Sequence, residues 1–430
     1  MKKLLIVFLV FLAAGLTFAT GQKEAGGPKS LLVAAPPWIQ KKTAVLSAAE
    51  AFQKAHADVK VEIITVDKWG GPTYIPEWQA GKTSFDLFVS GTGTMLAPLI
   101  VDGWLEPLDD MLTGSMAKDK IVGGFLSEGY YKKPDGSGAF YPMIPFLGEV
   151  AIVGINTAIM KQAGLWKDGP VPMPGWDEPA YFDWFRKMKP FAEQGAHVQI
   201  WDKEFMQYNY CAPILAMTGT FMDASGKGFD VTSSAARKWL GMIQQMAKEK
   251  LGNWTATDTA GYEAWKTGKA GSFFAAQGHT MELVLSAGAP EDAIGYVGWP
   301  GSDKNGSIIW THSVWIPKAS KAKDLAKAFI REEVFSKDFQ QWQFNNWGKL
   351  PTFKEAYGSG IQRYGEYMPM ILKVADNSKS IPLFKDLQTY ADIIKKYLPD
   401  AANGRISVDE ALGKIKAESA NLDFTDVRAK

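Results

Sequence analysis

Between residues 30 and 103, short apolar runs alternate with helical stretches, and no other feature limits the fold as tightly. Residues 30–35 (SLLVAA) form an apolar run that ends at Pro36-Pro37-Trp38, a strand stopped by a turn. Thr43 is placed to cap a helix that carries Val45, Ala48, Ala49 and Phe52 on one face. Val59, Val61 and Ile63 then alternate with polar residues as a strand, which Trp69-Gly70-Gly71-Pro72 breaks. After a further helix, residues 85–89 (FDLFV) read as a buried strand, followed by Ser90-Gly91-Thr92-Gly93 and a helix ending near Gly103. Such alternation calls for parallel strands with helices packed on both faces. Ligands of such sheets sit beyond the carboxyl ends of the strands, where Trp38, Trp69 and the turn with Gly91 and Thr92 fall. That turn is no phosphate loop, since no Gly-Lys-Ser/Thr follows it.

From about Phe140 the pattern changes. Tyr141-Pro142-Met143-Ile144-Pro145 is extended, and 150–155 is a strand. Helices are expected at 157–163, 177–193, 204–217 and 233–249, and strands at 271–276, 294–299 and 308–317. In the last of these strands Trp310 and His312 alternate with Thr311 and Ser313. No repeat of solenoid period stands out.

Charge excludes two broad classes. Lys+Arg (47) and Asp+Glu (46) nearly cancel, so no field favours nucleic acid or an anionic membrane. The single cysteine, Cys211, excludes an intrachain disulfide and cysteine-based metal clusters; it reads as a small buried apolar residue. The chain opens with Lys2-Lys3, an apolar run over 4–16 and Thr17-Phe18-Ala19, the pattern of a secretory signal peptide over 1–19. Residues 20–29 read as a flexible leader, and Thr20 stands where a lipid-modified cysteine would be. The expected location is therefore the periplasm or the cell surface. Aromatic content is high, with 16 Trp, which suggests that some indoles line a site although core packing remains the alternative for each.

Several segments, in order, resemble the extracellular solute-binding proteins of ABC importers, in the sugar-binding family that includes maltodextrin-binding proteins. They are the helix and strand around Ala48 and Val59, the strand Phe85-Asp86-Leu87-Phe88, and Gly103-Trp104-Leu105-Glu106-Pro107-Leu108-Asp109-Asp110, similar to the family's GxLxPLDD turn. Tyr141-Pro142 with Glu149 and Asn156 resembles a crossover between lobes, and Pro174-Gly175-Trp176-Asp177-Glu178 resembles PxTWDE. Four further matches are residues 262–270 (YEAWKTGKA), the helix at 322–329, Gly348-Lys349-Leu350-Pro351, and Ser407-Val408-Asp409-Glu410-Ala411-Leu412.

The resemblance implies an α/β protein of the two-lobed, type II periplasmic-binding-protein class, with a ligand cleft between lobes. One lobe would comprise 30–148 and 316–358, the other 149–315 and 359–430, with crossovers near 148–150, 313–316 and 357–360. It implies a monomer that captures a carbohydrate and delivers it to the transmembrane permease, without cofactor or metal. Glu149, seven residues before Asn156, is the first choice of hydroxyl acceptor. Trp38, Trp69, Trp310 and Trp347 are candidate platforms for sugar faces. Gln277, His279 and His312 are candidate hydrogen-bonding groups, with a satisfied buried polar role the alternative; Gly91 and Thr92 offer backbone and hydroxyl contacts. At one place the chain departs from the family: Ala276-Gln277-Gly278-His279 carries no Trp where an aromatic residue often stacks on the sugar.

Enzyme readings find less support. The four histidines lack zinc-site spacing, and no Gly-x-Ser-x-Gly elbow occurs. A secreted glycoside hydrolase, which needs a pair of carboxylates, stays as the competing class, as does a binding protein for a non-sugar small molecule.

Overall fold

The computed structural model describes residues 29–66, 72–172, 178–199, 210–226, 228–230, 233–253, 258–359, 363–384 and 386–429. Trp69, the segment 174–177 and the first part of the helix expected at 204–217 lie outside the described residues. The strands in chain order are β1 (Lys29–Ala35), β2 (Val59–Thr65), β3 (Leu87–Val89), β4 (Tyr131–Lys132), β5 (Ala139–Phe140), β6 (Ile144–Asn156) and β7 (His197–Val198). They continue with β8 (Gly252–Asn253), β9 (Ser272–Ala276), β10 (Ile294–Val297), β11 (Ile309–Trp315) and β12 (Leu350–Pro351).

The expected parallel start is present: β1 pairs in parallel with β2 (Leu31 opposite Val61) and with β3 (Val33 opposite Leu87). From β3 the sheet runs β3-β11-β6-β9-β7-β8, with β10 and β12 also paired to β6. The axis of the molecule is β6. It is thirteen residues long and buried along all but its last, so it reads as a continuous apolar run rather than an alternating one. Its first half pairs with β11 and β12, its second half with β9 and β10.

Packing divides along the same strand. Ile144, Phe146 and Leu147 enter a core with Leu31, Val33, Phe52, Leu87, Val314 and Phe329. Ala151, Val153 and Ile155 enter a second core with Trp239, Leu240, Ile243, Trp299, Leu398 and Leu412. One strand thus serves two lobes, and the residues between the two sets sit at the handover.

Local chemistry accounts for the helices. Ser233 accepts from the Ala236 amide at 3.2 Å and starts the helix Ser234–Lys248, whose Ala236, Trp239, Leu240, Ile243 and Met246 share a buried face. Ser407 does the same for Val408–Glu418 through the Glu410 amide at 3.1 Å. Two local expectations need correction. The turn at Pro36–Trp38 is the start of a helix, Pro37–Lys42, because proline at the first helical position loses no needed donor. Thr43 closes that helix, donating its hydroxyl to Ile39 O at 2.8 Å, and Ala44 stands at the cap of the next helix, Val45–Ala55.

Candidate functional site

Glu149 lies in the handover zone of β6, where Ile144–Leu147 have gone to one core and Ala151–Ile155 go to the other. It is 2% exposed. Directly opposite it on β11 is Trp310, so the two side chains share one face of the ladder. His312 follows two residues on, next to a bulge between His312 and Ser313 that re-aims the strand. On the other edge of β6, β12 pairs Leu350 with Gly148 and brings Lys349 alongside.

The Lys349 ammonium donates to Glu149 Oε2 and lies 4.3 Å from the centre of the Trp347 ring. Glu149 Oε1 is buried and accepts no hydrogen bond of normal geometry, although the Trp310 indole is near enough to steady the charge. Burial pushes the Glu149 carboxyl above its usual range, and Lys349 offsets only part of that push.

A second ion pair stands beside the first. Lys42, at the end of the helix Pro37–Lys42, pairs with Glu282 Oε1, while the Trp347 indole donates to Glu282 Oε2 at 2.7 Å. Burial works to raise the Glu282 carboxyl, but Lys42 and Trp347 outweigh it and hold the group below its usual value. Ile39 and Trp347 belong to the first core, whereas Met281 and Val284, flanking Glu282, pack in a cluster with Val150 and Ile152. The pair therefore spans two packing units.

Aromatic rings cover this charged set. Trp38 lies edge-on to His312 at 5.1 Å and to Trp347 at 5.4 Å, and His312 is 6.1 Å from Trp347. His279 lies 4.6 Å from the Tyr262 ring, and its Nε2 is buried without a hydrogen bond. Burial, helped by Lys349 and Lys42, brings the His279 pKa down to about 4. The same two effects, burial and Lys349, take His312 well below its usual value, so both imidazoles are neutral at pH 7.

The remaining expected residues have more local roles. Gln277 begins the helix Gln277–Ser286; its Oε1 accepts from the Val150 amide at 2.7 Å and its Nε2 reaches Gly348 O at 3.4 Å. Its amide therefore pins the helix to β6. Gly91, at φ +109°, has room for no Cβ without approaching Trp315 Nε1 at 3.1 Å, and its carbonyl accepts from Ser313 N at 2.9 Å. Thr92 is half-buried and caps the helix Gly93–Val101 with its carbonyl, which accepts from Met95 N at 3.0 Å.

Glu149, Trp310, His312, Trp38, Trp347, Gln277 and His279 thus converge, and the turn at Gly91 hooks onto β11 beside them. Sequence reasoning missed Lys42, Glu282 and Lys349. Lys349 lay within a segment already singled out, Gly348-Lys349-Leu350-Pro351, and Glu282 is one helical turn beyond His279. Among the described residues no three His, Cys, Asp or Glu side chains gather as a metal site needs, and no helix is long and apolar enough to cross a membrane.

Solved structures share this architecture. The GacH receptor of Streptomyces glaucescens, solved unliganded and with acarbose and an acarbose homolog, matches with a TM-score of 0.69 at 17% identity, over 91% of this chain and 98% of that one. The sugar-binding protein MalE of Xanthomonas citri matches with a TM-score of 0.73 at 15% identity, over 91% and 96%. Maltose-bound MalE3 of T. maritima matches with a TM-score of 0.69 at 17% identity, over 90% and 98%. At such identities the likeness fixes the fold alone. No curated protein matches in sequence. The family model for bacterial extracellular solute-binding proteins matches residues 47–369, from the first long helix through β6 to the segment after Lys349, and the chain belongs to that family.

Proposed function

We propose that this protein is the extracytoplasmic capture subunit of an ABC importer, that its ligand is a carbohydrate held between the lobes, and that it works as a monomer in the periplasm or on the cell surface. The observation that carries the reading is the open oxygen of Glu149: a buried carboxylate oxygen without a hydrogen bond, on the strand shared by both cores, next to a group of indole rings. Carbohydrates offer hydroxyl donors for such an oxygen and flat C–H faces for the rings. The neighbours support the same class, since their structures hold acarbose, maltose, tagatose and mannitol.

The proposed lobes are 30–148 with 316–358, and 149–315 with 359–430, closing by hinge motion around the ligand and presenting the closed form to the permease. Ligand drives that closure only as far as it binds the closed form better. Capture is favoured over cleavage because a glycosidase requires one carboxyl free to give a proton and another free to act as base or nucleophile. Here Glu149 and Glu282 are each tied to a lysine.

A thermal-shift panel of mono- and oligosaccharides, with glycerophosphodiesters, peptides and polyamines as controls, tests the reading. The expected result is a rise in melting temperature with one carbohydrate group and no product on prolonged incubation. Glu149→Ala should weaken that ligand roughly 10- to 100-fold, the worth of a hydrogen bond to a charged group. A response confined to the controls, or unchanged affinity in the variant, overturns it.

A further inference from the structure

We infer that this site selects an uncharged ligand, and that Lys349 is the positioning residue that makes it so, by occupying one oxygen of Glu149 and leaving the other for a ligand hydroxyl. The inference rests on the capture reading above. It begins with a charge balance. Around Trp347 stand two ammonium groups, Lys42 and Lys349, and two carboxylates, Glu282 and Glu149, joined as two pairs. His279 and His312, beside them, are neutral at pH 7. The set carries no net charge before any ligand arrives. A ligand with its own charge would be desolvated in such a site without a counter-charge, which weakens its binding relative to a neutral one.

Lys349 is built in rather than loosely placed. It is 5% exposed, it follows the left-handed Gly348 (φ +82°), and β12 holds the next residue against Gly148. Its ammonium is fixed from two sides, by Glu149 Oε2 and by the Trp347 ring. A Cβ on Gly278 would come 3.3 Å from Glu149 Oε1, 3.1 Å from Lys349 Cγ and 3.2 Å from Gly348 O, so glycine lets the helix Gln277–Ser286 start close against the second oxygen. A hydroxyl that reaches Oε1 as the lobes part meets a fixed carboxylate oxygen that no lysine occupies. An ammonium or guanidinium on the ligand would compete with Lys349, and a carboxylate would face Glu149.

The first arm of the test needs no ligand: the ¹³C carboxyl resonance of Glu149 is titrated in wild type, Lys349→Met and Lys42→Met. In Lys349→Met, with the opposing cation gone, the resonance should titrate at clearly higher pH. In Lys42→Met, which removes the partner of Glu282 and acts on Glu149 only through Glu282, the shift should be clearly smaller than in Lys349→Met. An unchanged Glu149 profile in Lys349→Met overturns the inference.

The second arm measures affinity for maltose, D-mannitol, glucuronate and glucosamine by calorimetry between pH 5 and 8, alongside circular dichroism to verify folding. Wild type should bind whichever neutral probe it takes roughly tenfold or more tighter than either charged one. In Lys349→Met neutral binding should weaken by a similar factor, and should fail as pH falls through the raised Glu149 range. Equal binding of charged and neutral probes by wild type overturns the inference. Absence of carbohydrate binding altogether defeats the capture reading, and the ligand-free titration still decides the role of Lys349.

Discussion

Two buried ion pairs in this molecule use the same chemistry for different ends. Glu149 pairs with Lys349 at the handover of β6; Glu128 pairs with Arg428, whose Nη2 donates to Glu128 Oε1 at 2.9 Å. In both, one carboxylate oxygen is buried without a hydrogen bond. The surroundings differ. Around Glu128 residues 427–429 run antiparallel beside β4, with Lys132 N donating to Val427 O at 3.0 Å and Ala429 N to Tyr130 O at 3.1 Å. Tyr131 and Leu383 fill the remaining space so closely that Gly93 has no room for a Cβ. Around Glu149 lie a second ion pair, neutral imidazoles and the partly exposed indoles of Trp38 and Trp310, on a strand that both cores share. The lesson is that a buried pair marks neither function nor stability by itself; what borders the open oxygen decides.

The sharpest way to break this comparison is to remove each cation. Arg428→Ala strands the Glu128 carboxylate in a packed core and should cost about 3–5 kcal/mol of stability by urea unfolding, with ligand affinity of the folded fraction unchanged. Lys349→Met should cost less stability, since opening of the proposed cleft would rehydrate Glu149, and should cost affinity instead. If Arg428→Ala weakens ligand binding as strongly as Lys349→Met does, the two pairs are not functionally distinct.

The two glycines sharpen the contrast at a smaller scale. At Gly93 a Cβ would lie well inside contact with the Tyr131 hydroxyl and 3.1 Å from Leu383 Cδ1, so Gly93→Ala should destabilise by about 1–3 kcal/mol through overpacking. At Gly278 the contacts of 3.1–3.3 Å ask for only small shifts. Gly278→Ala should change stability by under about 1 kcal/mol while pushing on Glu149 Oε1 and Lys349, so its effect should be read in affinity. Equal stability losses in the two alanine variants would contradict the difference in packing.

The frame of the molecule was legible in the sequence because it rests on local chemistry. Alternation over 30–103 gave the parallel start, and the helix expected at 233–249 is present as Ser234–Lys248. Glu149 was singled out by a family-like spacing, Trp310 and His312 by strand alternation, and the ladder places Glu149 opposite Trp310. The partners of the charged residues were not legible. Lys42 and Glu282 are 240 residues apart and Glu149 and Lys349 are 200 apart, separations that no periodicity links. The short helix at Trp38 hid Lys42, because Pro36-Pro37 reads equally as a turn or as a helix start. Residues 276–279 were weighed only against a family motif, so the helical spacing from His279 to Glu282 went unseen.

The smallest expected effect separates the candidate site from the core by pH. Burial lowers His279 from the ordinary 6.5 to about 4, and it lowers His197, inside the second lobe and 2.8 Å from Ser272 Oγ, to about 3. A histidine held neutral in the folded state contributes stability that is fully present above its unfolded value and is lost as pH falls through the folded one. Melting temperature should therefore decline from about pH 6.5 downward, and either His279→Gln or His197→Gln should flatten part of that decline. Only one of them should touch the ligand. A proton on His279 adds a cation beside Lys42 and Lys349 and upsets the balance of the site, so affinity for a neutral ligand should fall with acidity in wild type and fall less in His279→Gln. His197→Gln should leave that affinity profile as in wild type, because His197 stacks on Phe185 at 4.9 Å within the core. A shift of the affinity profile in the His197 variant would show that core and cleft titrate as one unit.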